Sequence, residues 1–116
     1  MGKSILEEKS FQFALTIIGT YKKLCEQGEY VMSKQLLRCG TSIGANIAEA
    51  TRAQSLADFS AKMYISLKEA SETKYWLSLL KASQYLQEES ASLLSDCDEL
   101  IRMLIATTKK ASPRTF

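Results

Sequence analysis

The scarcity of helix breakers constrains this chain more than any other feature. One proline, Pro113, and five glycines stand in 116 residues. Proline removes a backbone donor and clashes with the preceding turn, and glycine weakens a helix through its backbone freedom. A chain with so few of either can stay helical over long stretches.

Four helical segments can be marked. The first runs from Ile5 or Glu8 to Glu26, with Ser4 and Glu7 at capping-box spacing and Gly28 just past its end. The second covers Tyr30 to Ala53. The third starts at Leu56, after a Ser55 N-cap and with Asp58 in its first turn, and ends near Ser83. The fourth runs from Glu88 to Ala111 and stops before Pro113. Short linkers make consecutive helices antiparallel neighbours. The expected fold is all-α, an antiparallel up-down four-helix bundle, with residues 1–116 forming a single domain. A chain of this length buries roughly two-thirds of its extended surface, enough for a core without staples.

Composition narrows the function classes. The net charge of +2 is too weak to argue for nucleic acid by itself. Cys25, Cys39 and Cys97 are odd in number and lack paired short spacing, which fits neither a disulfide framework nor a zinc site. Reduced, mostly buried thiols are the expectation. No apolar run approaches the ~20 residues of a membrane span. The N-terminus reaches Glu7 and Glu8 at once, and Leu6 stands where a myristoylation signal has Ser or Thr. A cytoplasmic protein with no membrane partner is expected.

The first segment carries two apolar stripes: Phe11, Ala14, Leu15, Ile18 and Cys25 on one side, Phe13, Ile17 and Leu24 on another. Together they cover roughly 200° of the helix, whereas one core needs little more than ~100°. The excess fits either a second neighbour inside the bundle or another subunit. The subunit reading makes Phe13, Ile17 and Leu24 the candidate oligomer interface.

In the second segment, Gly40, Gly44 and Ala48 sit four apart beside the apolar Leu36, Ile43 and Ile47. Each helical glycine costs about 1 kcal/mol against alanine, and close approach of another helix would offset it. Arg38, Ser42, Asn46 and Glu49 share a further face, and Lys62, Ser66, Glu69 and Thr73 repeat the feature in the third segment. Folding back near Gln54 and Ser55 brings Glu49 to Lys62, Asn46 near Ser66, and Arg38 near Glu69 or Glu72. The spacing predicts an enclosed polar seam, in which removing one charged partner costs ~3 kcal/mol or more. Two ordinary solvated faces are the plainer alternative.

The run from Leu37 and Arg38 through Ser42-Ile43-Gly44-Ala45-Asn46-Ile47-Ala48-Glu49-Ala50 resembles the signature of the bacterial four helix bundle protein family. That family is also called the 23S rRNA intervening-sequence protein, or S23, family. Asp58-Phe59, Lys68-Glu69-Ala70, Glu72-Thr73 and Tyr75-Trp76-Leu77 are similar too. The resemblance covers about Phe11 to Ile105, and Ala50, where many members have glycine, is a mild departure. It implies a bundle that forms ring-like homopentamers, with no established enzymatic activity. More distantly, the chain resembles the accessory protein of diversity-generating retroelements, a basic pentamer that binds nucleic acid and a reverse transcriptase.

An enzyme is not expected. The chain has no histidine, the commonest general base and metal ligand near neutral pH. It has no Glu-x-x-His pair for a bundle-core metal and no glycine-rich phosphate loop. No catalytic residue, cofactor or metal site is expected. The remaining readings are an assembly that binds RNA or DNA through basic surfaces, or a protein-interaction scaffold. Lys109, Lys110 and Arg114 are the candidate nucleic-acid contacts, because they close a helix and lead into its tail. Complementing the helix dipole is their purely structural role.

Overall fold

Residues 4–111 are described by a computed structural model, and their regular structure is four helices: α1 (Ile5–Glu26), α2 (Met32–Ala50), α3 (Leu56–Ala82) and α4 (Glu89–Ala111). The expected all-α bundle is what the chain forms.

Local chemistry sets the ends. The Glu7 amide donates to Ser4 Oγ and the Ser4 amide to Glu7 Oε1, each at 3.1 Å, completing the capping box of α1. At the far end Gly28 takes φ +84°, and the Glu29 amide reaches back to the Leu24 carbonyl at 2.9 Å. This is a Schellman stop, which needs a left-handed residue. Ser55 caps α3, accepting from the Asp58 amide at 3.0 Å.

The second helix starts later than the sequence suggests, at Met32, and its N-cap Val31 has no side chain that can accept. Glu29 does that work from outside the helix. Its carboxylate, on a buried residue, accepts from the amides of Val31 (3.2 Å), Met32 (3.0 Å) and Ser33 (2.6 Å). Three orphan donors and the positive end of the helix dipole are thereby met by one anion.

The core runs the length of the bundle and includes Leu24, Leu36, Ile43, Leu77, Leu80, Leu100 and Leu104. Here one expectation is corrected. Phe13, Ile17 and Leu24, taken as the oligomer interface, are 4%, 0% and 0% exposed, so they form this chain's own core. The buried face of α1 is Leu6, Ser10, Phe13, Ile17, Thr20 and Leu24. Its fours and threes are an ordinary core stripe interrupted by two hydroxyls. Each hydroxyl bonds within its own helix, Ser10 to the Glu7 carbonyl (3.1 Å) and Thr20 to the Thr16 carbonyl (3.0 Å). The stripe left outside is the other one: Phe11, Leu15 and Ile18 are exposed.

Gly40 and Gly44 do not break α2; they admit α1. A Cβ on Gly40 would stand 2.9 Å from both Cγ atoms of Ile17, and one on Gly44 would stand 3.3 Å from Ser10 Oγ. By contrast, α1 and α4 touch only sparsely. Grooves of about 250 and 400 Å³ lie between them, floored by Phe13, Leu93 and Leu100. Lys9–Glu99 (3.3 Å) and Lys23–Glu89 (3.5 Å) bridge the gap.

Candidate functional site

The polar seam joins α2 to α3 with the expected charge pairing. Lys62 Nζ meets Glu49 Oε1 at 2.8 Å, and the Arg38 guanidinium forks between Glu69 (3.2 Å) and Glu72. Hydrogen bonding to Arg38 and then to Trp76 holds the Glu72 carboxyl below the usual carboxylate range. The Glu72 bond correspondingly raises Arg38, as the Glu49 bond raises Lys62.

The seam is not enclosed, however. Of its eight residues only Ser66 and Thr73 are buried. The Arg38 side chain is 49% exposed and that of Glu49 59%. The charged side chains lie at the outer edge of the α2–α3 pair and reach water, which screens them. Nor do Asn46 and Ser66 bond each other: Asn46 donates to the Ser42 carbonyl (2.9 Å), and Ser66 donates across to the Ile43 carbonyl (2.8 Å). Ser42 and Thr73 turn back to the carbonyls of Arg38 (2.6 Å) and Glu69 (2.8 Å).

The thiols are quiet. Cys39 and Cys97 are buried and Cys25 is half-buried, all unpaired with one another. Burial pushes the Cys39 thiol up and that of Cys97 up to about 12, and Cys97 donates to the Ala70 carbonyl at 3.3 Å. A thiol held protonated is a poor nucleophile and metal ligand. Among the described residues no group of three acidic or sulfur side chains comes close enough to hold a metal, and no helix is long and apolar enough to cross a membrane.

What remains is surface. Lys109 and Lys110 are exposed in the last turn of α4 with no acidic partner among the described residues. Arg114 lies outside those residues. Lys22, Lys34, Arg52, Lys68 and Lys81 are likewise exposed and unpaired among them, whereas Lys74 is paired with Asp98 at 2.9 Å.

Among the described residues, α1 and α3 each also turn apolar side chains outward. On α1, the exposed Phe11 borders a groove of about 300 Å³ between α1 and α2, lined with Ala14, Gly44, Ala45 and Ala48. On α3, Tyr64, Ile65, Tyr75 and Leu79 face outward. Sequence reasoning missed the α3 face, although the eleven-residue step from Tyr64 to Tyr75 marks a single side of a helix.

The family model described as 23S rRNA-intervening sequence protein matches residues 3–106. A solved structure of a protein with unknown function from the S23 ribosomal protein family of Bacteroides thetaiotaomicron is similar, with 51% sequence identity. The match covers 90% of this chain and 99% of that one, with a TM-score of 0.88. No curated protein matches the chain.

Proposed function

This chain belongs to the 23S rRNA-intervening sequence protein family, and from that membership we propose a non-enzymatic, self-associating bundle whose assembly binds nucleic acid through phosphates. The observation that carries the reading is the outer face of α1 and α2. Phe11, Leu15 and Ile18 are 52%, 50% and 36% exposed, and Phe11 lines the small-residue groove with Ala45 and Ala48. Contiguous exposed apolar surface of this kind marks an interface.

Resemblance favours five subunits in a ring. A ring repeats each unpaired cation around its circumference, so contacts too weak singly become avid together. Lys109, Lys110 and Arg114 are the first-choice contacts, and the setting is the cytoplasm, where the three thiols stay reduced. Contacts to phosphate carry no sequence information, so affinity is expected to be largely sequence-independent.

Sedimentation equilibrium together with a salt titration of RNA and DNA binding tests the proposal. The expected result is an assembly whose log affinity falls linearly with log salt, and whose slope flattens when Lys109, Lys110 and Arg114 become alanine. A clean monomer at micromolar concentration would remove the assembly. Absence of binding even at low salt would leave a protein-interaction scaffold that uses the α1–α2 groove.

A further inference from the structure

We infer that the outer face of α3 is a track for single-stranded nucleic acid, with Tyr64 and Tyr75 as base-stacking platforms and Lys68 between them on a phosphate. The inference rests on the proposed nucleic-acid binding and deepens it by naming the strand form.

Residues 64, 68, 71, 75 and 78 advance by fours and threes, so they share one side of the helix. All five are exposed. The rings of Tyr64 and Tyr75 are 57% and 58% exposed. They stand about 16 Å apart along the axis, from the rise per residue, so a strand touching both would run along α3. Between them on that line stand Lys68 and Ser71: Ser71 is short and leaves the path open, and Lys68 has no acidic partner among the described residues.

Tyr75 is also braced. Its ring meets that of Trp76 edge-on, with centroids 5.3 Å apart and planes at 72°. Trp76 Nε1 donates to Glu72 at 3.1 Å, and Arg38 holds Glu72 in turn. The surface end of the seam thus positions an aromatic platform, and a platform fixed in advance loses less entropy on stacking.

The chemistry separates this occupant from another copy of the chain. A protein contact centred on this face would bury Lys68, and lysine is depleted at interface cores. A phosphate backbone supplies the missing anion, while unpaired bases supply flat faces for the rings. A duplex keeps its bases stacked internally and offers only the phosphates.

Fluorescence anisotropy with a labelled single strand and with its duplex, at one salt concentration, tests the track. Wild type should bind the single strand at least about 10-fold more tightly, since stacking adds to the phosphate term. Tyr64→Ala or Tyr75→Ala should each weaken single-strand binding by about 5- to 100-fold and leave duplex binding, thermal melting and sedimentation unchanged. Tyr64→Phe/Tyr75→Phe should bind as wild type does. Lys68→Ala should reduce the single-strand salt slope by about 0.7. Equal affinity for both strand forms, an alanine variant that binds the single strand normally, or an alanine variant that changes sedimentation would overturn the track while leaving phosphate binding standing. Wild type binding neither form at low salt would defeat the proposed function, and the track with it.

Discussion

Substituting Gly40 with alanine sets two effects of known sign against each other. Alanine is the better helix former by about 1 kcal/mol. Its methyl would nevertheless stand 2.9 Å from Cγ1 and Cγ2 of Ile17, a fully buried residue. Ile17 cannot swing aside, because a β-branched side chain in a helix is held to one χ1 rotamer. Overpacking of this kind costs about 1–3 kcal/mol. Gly19→Ala supplies the reference: it lies inside α1 with nothing within 4 Å of the new Cβ, so only the propensity gain remains. Gly40→Ala should therefore fall about 1–3 kcal/mol below Gly19→Ala, with Gly44→Ala between them. Urea unfolding followed by far-ultraviolet circular dichroism reads the difference directly. It should be repeated at two protein concentrations, because the proposed assembly would add stability by mass action. In an Ile17→Ala background the Gly40→Ala penalty should largely vanish. If Gly40→Ala is as stable as Gly19→Ala, α1 does not approach α2 as closely as described.

Glu29→Gln should destabilise by about 1–3 kcal/mol, because a neutral amide replaces the anion that accepts from three backbone amides, that of Ser33 buried; thermal melting checks this. Arg38→Ala should cost under about 1 kcal/mol, well short of an enclosed pair, because the seam charges are exposed; 1 M salt should shrink the loss further. Glu72 and Glu89 titrate below their ordinary 4.5, Glu72 chiefly through Arg38 and Glu89 chiefly through its own backbone amide. Their stabilisation is complete above the unfolded value and is lost as pH falls through the lower folded values, so stability should begin to decline below about pH 4.5. Glu72→Gln should reduce that acid sensitivity. With a thiol reagent at neutral pH, Cys25 should react first, and Cys39 and Cys97 only on unfolding; prompt reaction of all three would contradict their burial.

The residues that specify helix ends were legible in the sequence wherever the capping group is local. Ser4, Glu7, Gly28 and Ser55 act at the positions their spacing implies. Glu29 was not legible as the cap of α2, because it stands outside the helix and reaches the amides with its longer side chain. Charge pairing across the seam followed from antiparallel register alone. Its depth did not, since burial depends on how each helix is rotated about its axis toward the core. The two stripes of α1 were visible but assigned the wrong way round. Ser10 and Thr20 interrupt the buried one, so the outward Phe11, Leu15 and Ile18 look more like a core than the core does. A hydroxyl that bonds its own helix is cheap to bury, and the hydrophobic pattern carries no sign of that bond.

The open side between α1 and α4 has a kinetic consequence. Each helix packs chiefly on its neighbour in sequence, and the one contact that joins the ends of the chain is the sparsest. Contacts are therefore local, and chains dominated by local contacts fold in roughly microseconds to milliseconds. No late ring closure has to be awaited. The hairpin of α1 and α2 can pack while α3 is still being synthesised, and α3 can settle on α2 before α4 exists. For this bundle, the order in which the helices leave the ribosome is the order in which their contacts can be made.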